Sequence, residues 1–138
     1  MRDVLLILLG AAVGAAGSTA GYLIVGHYDA KRRARHDCAI ALRDLVRLLT
    51  TITRPENLTR DDRRQLDAVV LDLLLHGTMA GRDERRRVHD IRTACDAYYD
   101  ALALPTAEAA RTAIQETFER LEELAQASFT WISQRATR

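Results

Sequence analysis

Residues 4–25 read VLLILLGAAVGAAGSTAGYLIV, a stretch of 22 residues without a charged side chain. As an α-helix this stretch would be about 33 Å long, slightly more than the roughly 30 Å hydrocarbon core of a bilayer. Ten of its residues are Val, Leu or Ile, and most of these lie at its two ends. The stretch therefore predicts a single transmembrane helix, and we assign residues 1–26 to a membrane anchor.

The centre of the stretch consists of small residues. Gly10 and Gly14 form one small-x-x-x-small pair, and Gly17 and Gly21 form a second. Because these spacings keep the four glycines on one face, two helix backbones can approach closely there inside a bilayer. We expect this face to pack against a second copy of the chain or another membrane protein. Glycine is also common in membrane helices generally, so composition alone is the alternative interpretation.

A cleaved signal peptide is the competing interpretation of the N-terminus. Residues 18–20 (Ser-Thr-Ala) resemble a small-x-small cleavage site. The positive region before the stretch is weak, because Asp3 follows Arg2, whereas four basic residues follow the stretch closely. Positive charge marks the cytoplasmic side of a membrane helix. The pattern favours an uncleaved single-pass anchor in the inner membrane of a bacterium, with the N-terminus outside and residues 27–138 in the cytoplasm.

Composition limits what the remaining 112 residues can form. They are enough for one small domain with a modest core. Over the whole chain, twenty basic and nineteen acidic residues leave a net charge of +1, which argues against nucleic acid as a partner. The two cysteines, Cys38 and Cys95, fall on apolar helical faces, so we expect buried, reduced thiols.

Four segments after the anchor carry apolar residues at spacings of three and four. They cover about residues 27–53, 60–76, 82–103 and 107–134. Pro55 ends the first segment, Thr59 with Asp62 is an N-cap pattern for the second, and Gly77 is a helix-end signal. No segment alternates with the period of a strand. The inner faces are predicted as follows: Cys38, Leu42, Leu45, Leu49 and Ile52; Leu66, Val69, Val70, Leu73 and Leu74; Val88, Ile91, Cys95, Tyr98 and Leu102; Ile114, Phe118, Leu121, Leu124 or Ala125, Ser128 and Ile132.

This pattern predicts an all-α fold. An N-terminal single transmembrane helix is followed by an antiparallel up-down four-helix bundle, and the first bundle helix continues the transmembrane helix. In this topology the second connection and the C-terminus face the bilayer together with the start of the bundle. A basic, aromatic membrane surface that suits anionic headgroups is therefore predicted from Lys31, Arg32, Arg33, Arg35, Arg82, Arg85, Arg86, Arg87, Trp131 and Arg135. Ion pairing of residues 85–87 with nearby acids on a solvated face is the alternative.

The histidines are the first place to look for chemistry. His36-Asp37 and His89-Asp90 each resemble, over two residues, the paired metal ligands of HD-type phosphohydrolases, an all-helical family. That family's pattern also needs a further His and a distant Asp, which no spacing in this chain indicates. Asp72 and His76 lie four residues apart and could face one metal or form a surface hydrogen bond, which is commoner. We expect no catalytic residue, no metal, no cofactor and no enzymatic activity.

Three functions are compatible with these features. The first is a single-pass membrane-anchored helical interaction or adaptor module that self-associates through the glycine stripe. The second is a membrane-perturbing or pore-forming oligomer regulated by its bundle, although Ser18 and Thr19 are the only small polar residues in the stretch. The third is a helical sensor of a small ligand. The expected partners are membrane lipid with anionic headgroups, another copy of the chain or another membrane protein.

Overall fold

The computed structural model describes residues 2–105 and 107–136, and it describes side chains for residues 24–105, 108 and 110–135. Within these ranges the chain forms four α-helices and one short 3-10 helix, without a strand, which confirms the all-α prediction. The α-helices are α1 (Arg2–Thr51), α2 (Arg60–Ala80), α3 (Arg82–Leu102) and α4 (Ala107–Ala136), and the 3-10 helix is Pro55–Asn57.

α1 is one uninterrupted helix of 50 residues. Most of the predicted span at residues 4–25, including the glycine stripe at residues 10–21, lies outside the residues with described side chains. Among residues 24–105, 108 and 110–135, none of the helices combines the length and apolar composition needed to cross a bilayer. The anchor therefore stays a prediction from the sequence.

The four helices pack as a bundle. α1 contacts α2 and α4, and α3 contacts the same two helices. Asp37 in α1 lies beside His76 near the end of α2, and Arg135 near the end of α4 lies beside Asp83 at the start of α3. Helices that are neighbours in space therefore run antiparallel. The second connection of the chain, at Gly81, lies at the same end as Asp83 and Arg135.

The core is built from the faces that the spacing predicts. Leu45, Leu73, Ile91 and Leu121 are completely buried, one from each helix. Of the predicted inner residues, Ile52, Val69, Leu74, Leu102 and Leu124 are half-buried and pack against the core. The others are buried: Cys38, Leu42, Leu45, Leu49, Leu66, Val70, Leu73, Val88, Ile91, Cys95, Tyr98, Ile114, Phe118, Leu121, Ala125, Ser128 and Ile132.

The predicted N-cap of α2 is confirmed. The Thr59 hydroxyl accepts a hydrogen bond from the Asp62 backbone N–H at 3.1 Å, and the Asp62 carboxylate accepts one from the Thr59 N–H at 3.3 Å. This reciprocal pair is a capping box, which satisfies two backbone donors that the helix leaves without a partner.

The end of α2 differs from the prediction. The helix continues four residues past His76, so Gly77 lies inside it and only Gly81 connects α2 to α3. Gly77 is buried, and a Cβ placed there would meet a methyl group of Val88 at 2.5 Å. The glycine thus allows α2 and α3 to approach closely rather than ending α2, because tertiary packing overrides a local helix-end signal.

Tyr98 closes the opposite end of the bundle. Its buried hydroxyl donates a hydrogen bond to the Pro55 carbonyl oxygen at 2.6 Å. Its ring lies 5.3 Å from the ring of Phe118, measured between centroids. Tyr98 therefore holds the α1–α2 connection against α3 and α4.

Candidate functional site

The basic end of the bundle is the place where α1 around Arg35, the Gly81 connection and the last turns of α4 around Arg135 come together. The Arg35 Nε atom donates a hydrogen bond to Glu84 Oε1 at 2.8 Å. Arg135 Nη1 lies 3.1 Å from Asp83 Oδ2 and 3.9 Å from the same Glu84 oxygen. One carboxylate therefore joins three helices.

Glu84 is almost completely buried, with 1% of its surface exposed. It occupies the first turn of α3, where the helix dipole favours a negative charge. A buried carboxylate is stable only when it is paired and hydrogen-bonded, and Arg35 meets both needs. Gly81 makes room for the carboxylate, because a Cβ at Gly81 would clash with Glu84 Oε2.

Trp131 is half-buried, and two arginine guanidinium groups lie over its ring system. The guanidinium carbon of Arg87 lies 4.3 Å from the centroid of its ring system, and that of Arg135 lies 4.4 Å away. Cation–π attraction of this kind is worth about 0.5–2 kcal/mol for each pair, depending on exposure. The residue predicted as an aromatic membrane anchor therefore also links α3 to α4.

The other predicted membrane-surface residues lie around these contacts. A surface groove of about 730 Å³ is lined by Lys31, Arg32, Arg35 and Arg135, together with residues 27–29. Arg85 donates a hydrogen bond to the Thr78 carbonyl oxygen at 3.0 Å. Besides Arg85, four arginines of the predicted surface are exposed and form no ion pair with the described residues: Arg32, Arg33, Arg82 and Arg86. The predicted surface residues are thus partly brought together, with some of their charge used in internal ion pairs.

His76 lies between two carboxylates rather than in a metal site. Its Nε2 atom is 3.2 Å from Asp72 Oδ1, and its Nδ1 atom is 4.0 Å from Asp37 Oδ2. Because each carboxylate faces a different ring nitrogen, the three side chains do not converge on one point. Among the described residues, no group of three or more His, Cys, Asp or Glu side chains has the geometry to hold a metal ion.

Burial raises the pKa of three groups in the core. Desolvation is the largest cause in each case, and it raises the pKa of Cys38 to about 12, that of Cys95 to about 11 and that of Tyr98 to about 12. Both cysteines are buried free thiols, as expected from the sequence. Thiols of this kind stay protonated near neutral pH and are poor nucleophiles.

These shifts predict that the bundle loses stability at alkaline pH. Unfolded thiols titrate near pH 8.5 and unfolded tyrosines near pH 10. The folded chain therefore keeps protons that the unfolded chain releases. The contribution of these groups is fully present below about pH 8.5 and is lost progressively as the pH rises from there to 11 or 12, where the folded chain also releases the protons. We expect urea unfolding in reducing buffer to show a falling free energy between pH 8 and pH 10.5. Replacing both Cys38 and Cys95 with Ala should flatten this slope, and an unchanged slope would contradict the assignment.

Two features of the site were missed from the sequence. The first is the burial of Glu84, whose spacing of four from Val88 and seven from Ile91 places it on the buried face of α3. The second feature is an exposed apolar row on α2, formed by Leu71, Leu75 and Met79. The spacing of four between these residues, away from the predicted inner face, was the available signal.

The basic end and the exposed row on α2 are therefore the two candidate binding surfaces of the bundle. Comparisons with protein-family models, with curated proteins and with solved structures each found no match to this chain.

Proposed function

We propose that the chain is a single-pass membrane-anchored helical adaptor, which self-associates through the glycine stripe of its anchor and presents its bundle to a partner protein. The observation that carries this proposal is the continuity of α1, which runs from Arg2 to Thr51. The uncharged N-terminal stretch and the bundle core thus share one helix, about 75 Å long at 1.5 Å per residue. A contact between two anchors would set the positions of the attached bundles.

The basic end supports an orientation for the bundle. Lys31 is six residues past Val25, about 9 Å along the helix, which corresponds to the headgroup region of a bilayer that the anchor crosses. Exposed Arg32, Arg33, Arg82 and Arg86 would then face the membrane surface. Each basic residue near an anionic surface contributes about 1 kcal/mol, so several together favour anionic lipid.

Self-association tests the proposal directly. Gly14→Leu places a large side chain on the glycine stripe and should reduce oligomers at least tenfold, because the backbones no longer approach closely. The measurement is a single-molecule count of the labelled full-length chain in lipid nanodiscs or native membranes. Ala12→Leu, on another face of the same helix, is the matched control and should leave the count unchanged. Monomers in the wild-type chain, unaltered by Gly14→Leu, would refute self-association.

The orientation of the basic end toward the membrane can be tested by fluorescence, because Trp131 is the only tryptophan in the chain. In nanodiscs whose lipids are brominated just below the headgroups, we expect Trp131 fluorescence to be quenched more strongly with anionic than with neutral lipid. Arg82→Glu combined with Arg86→Glu should remove this difference, whereas Arg120→Glu, on an exposed part of α4, should not. Equal quenching in both lipids would rule out the lipid contact.

A further inference from the structure

α2 carries an apolar row on the side that faces away from the core. Leu71, Leu75 and Met79 are exposed to 60%, 58% and 64% of their surface. They are four residues apart, so they form one row about 12 Å long on the helix. The opposite side of α2 supplies Leu66, Val70 and Leu73 to the core. The row therefore takes no part in the packing of the bundle.

Arginines lie at both ends of this row. Arg64 is seven residues before Leu71, two helical turns away on the same face, and it is mostly exposed. Its neighbour Asp61 is 3.8 Å away in an exposed ion pair, which contributes little. At the other end, the Arg85 guanidinium is held at the last turn of α2 by its hydrogen bond to the Thr78 carbonyl oxygen. The two cationic groups are about 20 Å apart along the helix, at 1.5 Å per residue.

The charges decide what kind of surface fits the row. Two copies of α2 that pair in parallel would place Arg64 against Arg64 and Arg85 against Arg85. Two copies that pair antiparallel would place Arg64 against Arg85. Both symmetric arrangements bring like charges together, which costs free energy and disfavours a second copy. A different helix with acidic ends would instead gain attraction at both positions.

We propose that Leu71, Leu75 and Met79 bind an amphipathic helix of a partner protein, with aliphatic residues four apart and acidic residues at both ends. This inference rests on the proposed adaptor function and names the surface and the chemistry of its partner. Helix-on-helix docking of this kind places apolar anchors of the partner between those of the row. The flanking carboxylates fix the position of the partner along α2.

A synthetic probe tests the proposal. It is a fluorescein-labelled helical peptide of about 20 residues, with three leucines four apart, alanines between them and two glutamates at each end. The matched peptide has arginines in place of the glutamates. The full-length chain is held in nanodiscs of neutral lipid, and binding is measured by fluorescence anisotropy, with empty nanodiscs as the blank. We expect the acidic-ended peptide to bind at least tenfold more tightly than the basic-ended one.

Variants of the chain test whether the peptide binds to the row on α2. Leu75→Gln should weaken binding of the acidic-ended peptide at least tenfold without unfolding the bundle, because the side chain is exposed. Leu104→Gln, at an exposed leucine in the α3–α4 connection, should leave binding unchanged. Arg64→Glu combined with Arg85→Glu should reverse the preference, so that the basic-ended peptide binds more tightly. Circular dichroism of each variant confirms that the helices are intact.

Three outcomes would overturn the proposal: equal binding of the two peptides, binding that is indifferent to Leu75→Gln, or a loss of oligomers on Leu75→Gln, which would make the row a contact between copies of the chain. The proposal that the chain self-associates through its anchor can fail independently of the docking proposal. If Gly14→Leu and the wild type are both monomeric but the peptides show the expected pattern, self-association is wrong and the docking surface stands.

Discussion

Arg35→Met is expected to lower the free energy of unfolding by about 2–4 kcal/mol, because it leaves the carboxylate of Glu84 buried without its main partner. Glu84 is 1% exposed, and its hydrogen bond from Arg35 is 2.8 Å long. Arg135 is 3.9 Å from the same oxygen and also pairs with Asp83, so it compensates only in part. Methionine keeps an apolar stem in place, so the loss reports the charge pair rather than the packing.

A double substitution distinguishes the cost of leaving the Glu84 charge buried without a partner from the net contribution of the ion pair to stability. Arg35→Met combined with Glu84→Met removes both charges, and apolar side chains of similar volume can replace a buried pair at little cost. We expect the double variant to be more stable than Arg35→Met alone, as measured by urea unfolding in micelles of neutral detergent. Asp83→Asn, which removes an exposed pair with Arg135, should change stability by less than about 1 kcal/mol. A double variant that is less stable than the single one would contradict this account of Glu84.

Gly81→Ala is expected to lower the free energy of unfolding by about 3 kcal/mol or more, for two reasons that act at the same residue. The backbone of Gly81 has φ 157° and ψ −178°, a conformation that is essentially limited to glycine and costs other residues about 1–3 kcal/mol. The added Cβ would also clash with Glu84 Oε2, so the carboxylate that pairs with Arg35 would have to shift. Thermal unfolding of the full chain followed by circular dichroism measures the loss.

Gly26→Ala is the matched control and should have the opposite sign. Apart from its chain neighbours and the backbone of its own helix, a Cβ at Gly26 meets no described atom within 4 Å, and the residue lies inside α1. Alanine favours the helix over glycine by about 1 kcal/mol, so this variant should be as stable as the wild type or slightly more stable. If Gly81→Ala and Gly26→Ala behaved alike, neither the backbone conformation nor the contact with Glu84 at Gly81 would matter.

Most of the fold could be predicted because it depends on local periodicity. The spacing of Cys38, Leu42 and Leu45 predicts the buried face of α1, and the structure buries all three. Thr59 and Asp62 are three residues apart, so their capping box depends on the local sequence alone. Gly77 was misinterpreted because its role depends on Val88, eleven residues away on the next helix.

The candidate site was less predictable because its contacts cross between helices. The up-down topology correctly brings Arg35, the start of α3 and Arg135 to one end of the bundle. Which of these arginines pair internally depends on the position of Glu84 relative to α1 and α4, and no spacing in the sequence contains that information.

The sequence by itself determined the all-α class, the number of bundle helices and the side of each helix that is buried, because apolar periodicity is a property of neighbouring residues. The tertiary structure decided that Glu84 pairs with Arg35 and lies near Arg135, and that Trp131 contacts the guanidinium groups of Arg87 and Arg135. These outcomes depend on which surfaces meet across the bundle, and that is fixed only when residues about fifty positions apart come into contact.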